Sequence, residues 1–132
     1  MPYSEIPTLL SLSDALVQPG AENAFNEFRL PGKLPEFFAM GRPVILPRTN
    51  VGRFVRPGDD ALVLDKVDAL GIVEAVRELH RNKSLSERLS AGALQFAEKH
   101  FDWNKNARTL AEFYETIATR QPEEANAGAA LE

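Results

Sequence analysis

In the run RLPGKLPEFFAMGRPVILPR, residues 29–48, three residues have the types and spacing to hold a charged ligand. Lys33 and Glu36 stand three positions apart, so on a helix they share a face. Gly32, just before them, lets the backbone approach a ligand closely. The free N–H groups of a helix starting here favour phosphate or another anion, and Lys33 adds a cation beside them. The Glu36 carboxylate suits a pair of sugar hydroxyls, from which it can accept hydrogen bonds. Residue types leave a second reading open, in which Lys33 and Glu36 form only a solvated pair on a surface helix.

Other candidates carry less. Glu22 and Glu27 lie upstream and can reach a substrate, although acids in loops are usually solvated. Asp59 and Asp60 look like a metal pair, but the run Pro57-Gly58-Asp59-Asp60 reads better as a turn, and no histidine or third carboxylate has ligand spacing. His80 ends a helical stretch, where a cation suits the helix dipole, and His100 precedes a cap, so neither has a triad context. Ser11 and Ser13 lack the glycines of a nucleophile elbow. Phe113, Trp103 and Tyr114 read as core or interface.

These residues need elements to position them. The chain has 132 residues, 44% apolar and 26% charged, which suits one folded domain. A net charge of −4 with scattered basic residues argues against a nucleic-acid footprint. The absence of cysteine excludes disulfides and thiolate chemistry and fits a cytoplasmic setting. Short apolar runs at 15–18, 43–47 and 61–64, punctuated by proline and glycine, predict buried parallel strands. A short helical cluster surrounds Ile6, Leu9 and Leu10, the run AENAFNEFR shows no period and reads as a loop, and a helix with Pro31 in its first turn runs to Gly41.

The last third predicts helices. Val67, Leu70, Val73, Val76 and Leu79 are placed on one face of the first. The second, carrying Leu85, Leu89, Ala93 and Phe96, opens on a capping box of Ser84 and Glu87. Asp102 caps the third, which carries a seam of Trp103, Ala107, Leu110, Tyr114 and Ile117. The tail, 121–132, is small and polar and is expected to be disordered. The pattern is α/β: a partial Rossmann-like parallel sheet of about three strands, helices on both faces and a helical C-terminal third.

Taken in order, SDALVQP, KLPEFFAMGRPVI, NVGRFVRPGDDALVL and LSERLSAGALQFAEKHFDWNKNARTLAEFYE resemble the C-terminal half of GT-B-fold glycosyltransferases. The likeness is to the retaining, glycogen-synthase-like group and covers roughly residues 8–118. It implies a nucleotide-diphosphate-sugar donor and no cofactor or metal. Glu36 takes the place of the acid that binds the nucleotide ribose, while Leu30, Gly32 and Lys33 belong to the loop facing donor sugar and diphosphate. The family's first acid falls at Phe28, so Glu27, one position earlier, is the possible catalytic or sugar-contacting acid.

The resemblance also sets expectations for what lies outside the chain. Residues 1–120 match the last part of a donor domain, without the basic pair that neutralises the diphosphate or the acceptor domain. Activity of this chain alone is not expected, and membrane association is expected only through the missing domain. The strand at 15–18 would present a bare edge, so a homodimer or domain-swapped pair is expected. Two further readings stay open: a non-catalytic nucleotide- or protein-binding module, and a fragment of a sugar-nucleotide epimerase.

Overall fold

The computed structural model describes residues 2–21 and 23–127, with side chains described to residue 119. A 3-10 turn at Tyr3–Glu5 leads into α1 (Ile6–Ser11) and β1 (Leu16–Val17). Next come α2 (Ala24–Phe28), α3 (Leu34–Ala39), β2 (Val44–Pro47), a second 3-10 turn (Asn50–Arg53) and β3 (Leu62–Leu64). The chain closes with α4 (Ala69–Arg81), α5 (Lys83–His100) and α6 (Trp103–Ala127). All three strands are parallel, in the order β1-β2-β3, with Val17 opposite Ile45 and Ile45 opposite Leu62. The α/β fold expected from the apolar runs is the fold observed.

β2 is the central strand and is buried along its whole length. Ile45 joins Ala75, Leu79, Leu85 and Leu89 in a core between one face of the sheet and helices α4 and α5, with Ala15, Val17, Leu62 and Leu64 packed on its margin. By the two-residue alternation of a strand, Val44 and Leu46 face the other way. There Leu34 of α3 and Leu46 line one small recess, and Phe37 and Phe38 are buried on the same helix. Phe38 stacks on Phe96 with ring centroids 4.8 Å apart and a 36° tilt, which ties α3 to α5. At the middle of α5 the backbone of Asp59 and Asp60 lies where a side chain at Gly92 would be: a Cβ there would fall 2.0 Å from the Asp59 carbonyl oxygen.

Four local expectations are corrected. Residues 24–28 are helical, because the Asn23 side chain accepts from the Asn26 N–H at 2.9 Å and caps the turn. Periodicity missed this helix because it buries no residue. α3 begins at Leu34, so Pro35 rather than Pro31 lies in its first turn. In α4 only Ala75 and Leu79 are buried, and Leu70, Val73 and Val76 are exposed. Steps of three residues lag a helix of 3.6 residues per turn by about 60° each, so an i, i+3 series cannot keep one face over four steps. α5 is capped by Asn82, whose side chain accepts from the Leu85 N–H at 3.0 Å, and not by Ser84.

Residues 1–99 form one compact unit and 100–132 another. In the second, Asp102 caps α6 as expected, accepting from the Lys105 N–H at 2.9 Å. Within this unit the side chains of Trp103, Leu110, Phe113, Tyr114 and Ile117 are exposed. α6 continues to Ala127, past residue 121 where the sequence suggests a tail, and residues 128–132 lie outside the described residues. Among the described residues no helix is long and apolar enough to cross a membrane.

Candidate functional site

In an open parallel sheet the crevice beyond the carboxyl ends of the strands is the place for a ligand. The segments following β1 and β2 meet there. Asn50 adopts φ 47°, in the left-handed region that asparagine tolerates better than most residues, and its side chain donates to the Glu27 carbonyl at 3.1 Å. This bond fastens the turn after β2 to α2. Next to it lies a cavity of about 560 Å³, lined by Asn23, Ala24, Glu27, Arg48, Thr49 and Arg53. Glu27 pairs with Arg53 at 2.5 Å and is the less exposed partner. Arg48 reaches the other way, to the exposed Asp65 at 3.0 Å. The cavity thus presents two guanidinium groups, one carboxylate and the buried Thr49.

Glu36 is elsewhere. It accepts a hydrogen bond from the Tyr3 hydroxyl at 2.5 Å and lines an apolar cavity of about 270 Å³ with Ile6, Pro7, Leu10, Ala39 and Met40. α3 follows β1 and precedes the parallel β2, so it starts near the carboxyl end of β1 and runs back along the sheet, and the cavity follows it to its last residues, Ala39 and Met40. The two cavities have different linings: one lies between α1 and α3, the other beyond the carboxyl ends of β1 and β2. Lys33, Leu30 and Gly32 are exposed and belong to neither lining. The Lys33 ammonium lies 5.5 Å from the Phe37 ring centroid, a cation–π contact and not an ion pair with Glu36. No atom comes within 4 Å of a Cβ built at Gly32, so no packing contact requires a glycine there. Glu22 lies outside the described residues.

The Tyr3–Glu36 bond has a measurable consequence. The hydrogen bond to Glu36 first, and its negative charge second, raise the Tyr3 phenol above its ordinary value of 10.0. A group raised on folding contributes to stability below its unfolded pKa, and that contribution is lost as pH climbs through the folded value. In a Tyr114→Phe background Tyr3 is the only tyrosine left. There Glu36→Gln should lower the phenolate titration midpoint read by ultraviolet absorbance. An unchanged midpoint would show that the contact does not persist in solution.

The remaining candidates have structural duties. Asp60 is buried and accepts from the Arg56 backbone N–H at 2.9 Å and from its guanidinium at 2.6 Å, while Asp59 lies 3.5 Å from Arg88. This is the turn expected at 57–60. His80 sits in the last turn of α4 and lines, with Asp14, Arg42, Arg77 and Lys83, a groove of about 490 Å³. That groove lies at the opposite, amino ends of β1 and β2. Among the described residues no three histidines or carboxylates gather as a metal ion would require.

Sequence reasoning missed Tyr3, Gln18, Arg48, Thr49, Asn50 and Arg53. Gln18 immediately follows β1, and Arg48 and Thr49 immediately follow β2, so the strand-end rule applied to both strands would have found them. Tyr3 carries no such signal, since it is 33 residues away from its partner.

No protein-family profile matches the chain, and no curated protein sequence does. Among solved structures it is similar to the crystal structure of Anabaena HepE in complex with UDP, with a TM-score of 0.68 at 14% identity. The match covers 86% of this chain and 30% of the HepE chain. At that identity the likeness establishes the fold.

Proposed function

We propose that this chain is the nucleotide-sugar-binding portion of a GT-B glycosyltransferase that moves a sugar from a nucleotide-diphosphate sugar with retention. The observation that carries the reading is the pair of cavities, one between α1 and α3 and one beyond the carboxyl ends of β1 and β2. One is apolar with a single carboxylate at Glu36; the other is polar, with Arg48, Arg53 and Glu27. A nucleoside fits the first, its base against the apolar side chains and its ribose hydroxyls on Glu36. The phosphates and the donor sugar fit the second, where guanidinium groups complement the anion. The likeness to a fold crystallised with UDP supports the same assignment.

In this reading Leu30, Gly32 and Lys33 form the exposed loop that closes over the donor, and Glu27 replaces the family's first acid. Paired with Arg53 at the lining of the polar cavity, Glu27 is placed as a sugar-contacting group. The chain spans less than a third of the HepE chain, and among the described residues β1 pairs only with β2, which leaves its other edge for a further strand. That strand would come from the same polypeptide or from a second copy.

The test is a titration with a panel of nucleotide sugars, in this chain and in any longer form, repeated with Glu36→Ala. Loss of charged hydrogen bonds to the ribose is expected to weaken binding by about tenfold or more. Equal binding by Glu36→Ala would remove the assignment of that residue, and no binding by any form would remove the function.

A further inference from the structure

Gln18 is the last residue before Pro19-Gly20 closes the β1 segment, and it is 8% exposed. Its backbone N–H donates to the Ile45 carbonyl at 2.8 Å, so the main chain is committed to the sheet. The side-chain amide donates from Nε2 to the Pro19 carbonyl at 2.6 Å, which fixes the orientation of the group. Its Oε1 is then buried, and no donor among the described residues reaches it. An amide acceptor taken out of water without a partner is unfavourable, so folding alone would favour an apolar residue beside Leu16 and Val17.

The recess at this end of β1 is lined by Asn26, Thr49, Asn50, Pro31 and Leu34 and has room for about 10 Å³. That is space for a single water-sized group. Its polar lining residues are neutral, and a lone carbonyl oxygen repels anions, so the group it suits is one O–H donor. Thr49 lines both this recess and the larger cavity of Glu27, Arg48 and Arg53. The recess therefore adjoins the charged cavity across Thr49.

We propose that Gln18 Oε1 accepts a hydrogen bond from one hydroxyl of the glycosyl group whose phosphates lie against Arg48 and Arg53. The proposal rests on the nucleotide-sugar reading above and makes Gln18 a specificity-determining residue. A water molecule can satisfy the same acceptor, so the experiment must separate the two sources.

In protein labelled with ¹⁵N, the Gln18 side-chain amide is followed during titration with UDP and with a panel of nucleotide sugars that includes UDP-glucose, up to millimolar concentration. Its resonance is expected to shift with at least one nucleotide sugar and to stay in place with the matching nucleotide diphosphate. Gln18→Leu should weaken that sugar nucleotide about tenfold and leave the diphosphate within twofold. If resonances around Thr49 and Arg53 shift while Gln18 does not, the residue holds only water, and this proposal falls while the nucleotide-sugar reading stands. If no resonance responds to any of them, both fall. Should Gln18→Leu fail to fold, the wild-type resonance decides alone.

Discussion

Replacing Phe38 with alanine is expected to lower the stability of the fold by roughly 3–5 kcal/mol, the range for emptying a large aromatic site in a close-packed core. Phe38 has no exposed surface, and its ring meets Phe96 of α5 at 4.8 Å. The contact joins the helix that carries Glu36 to the helix that covers the other face of the sheet. Its loss therefore opens a cavity and removes an aromatic pair worth about 1 kcal/mol beyond its buried area. Small domains have total stabilities of about 5–15 kcal/mol, so the variant should show a markedly lower urea midpoint. Phe96→Ala should cost less when made on top of Phe38→Ala than when made alone, because the two share one contact. Additive losses, or a midpoint near the wild-type value, would mean that this pair does not hold α3 to α5.

Phe38 was legible because Leu34, Phe37 and Phe38 repeat at helical spacing between a turn and a buried strand. The strands were legible for a similar reason: ALV, VIL and ALVL are apolar runs bounded by proline, glycine or charge. What escaped had no apolar signature. α2 buries nothing and exists because Asn23 caps it. The capping box of Ser84 and Glu87 matched a template, yet the helix begins two residues earlier and hands the cap to Asn82. α4 loses its expected face through the lag of a three-residue step, leaving Leu70, Val73 and Val76 uncovered.

The site divided in the same way. Glu36 could be singled out because a cation, a carboxylate and a glycine stood close together in sequence. Its actual partners, Tyr3 and the apolar side chains of α1, come from the start of the chain and meet it only through the fold. Lys33, its neighbour in sequence, turns to Phe37 instead. Arg48 and Arg53 look like ordinary surface cations until β2 places them beside Glu27. Local spacing picked out residues of α3, while the chemistry of the polar cavity depends on which strand ends lie next to each other.

Gly52→Ala tests that dependence most directly. Alanine is ordinarily the better residue in a helical turn, by about 1 kcal/mol relative to glycine. At this position the added Cβ would lie 1.9 Å from the Pro47 carbonyl oxygen and 3.0 Å from its carbonyl carbon, and neither is a flexible side-chain atom. The clash exceeds the propensity gain: forcing a methyl into such a space costs about 1–3 kcal/mol or more, so net destabilisation is expected. Relief requires the Asn50–Arg53 turn to move away from the end of β2. That displaces Asn50 from the Glu27 carbonyl and Arg53 from the Glu27 carboxylate, both of which line or brace the polar cavity. Gly52→Ala should therefore lower the melting temperature and weaken nucleotide-sugar binding together, whereas Gly32→Ala, with nothing within 4 Å, should leave the melting temperature unchanged. A Gly52→Ala protein that melts like the wild type would show that the turn yields without cost. One that is destabilised but binds unchanged would show that the polar cavity is not where the ligand sits.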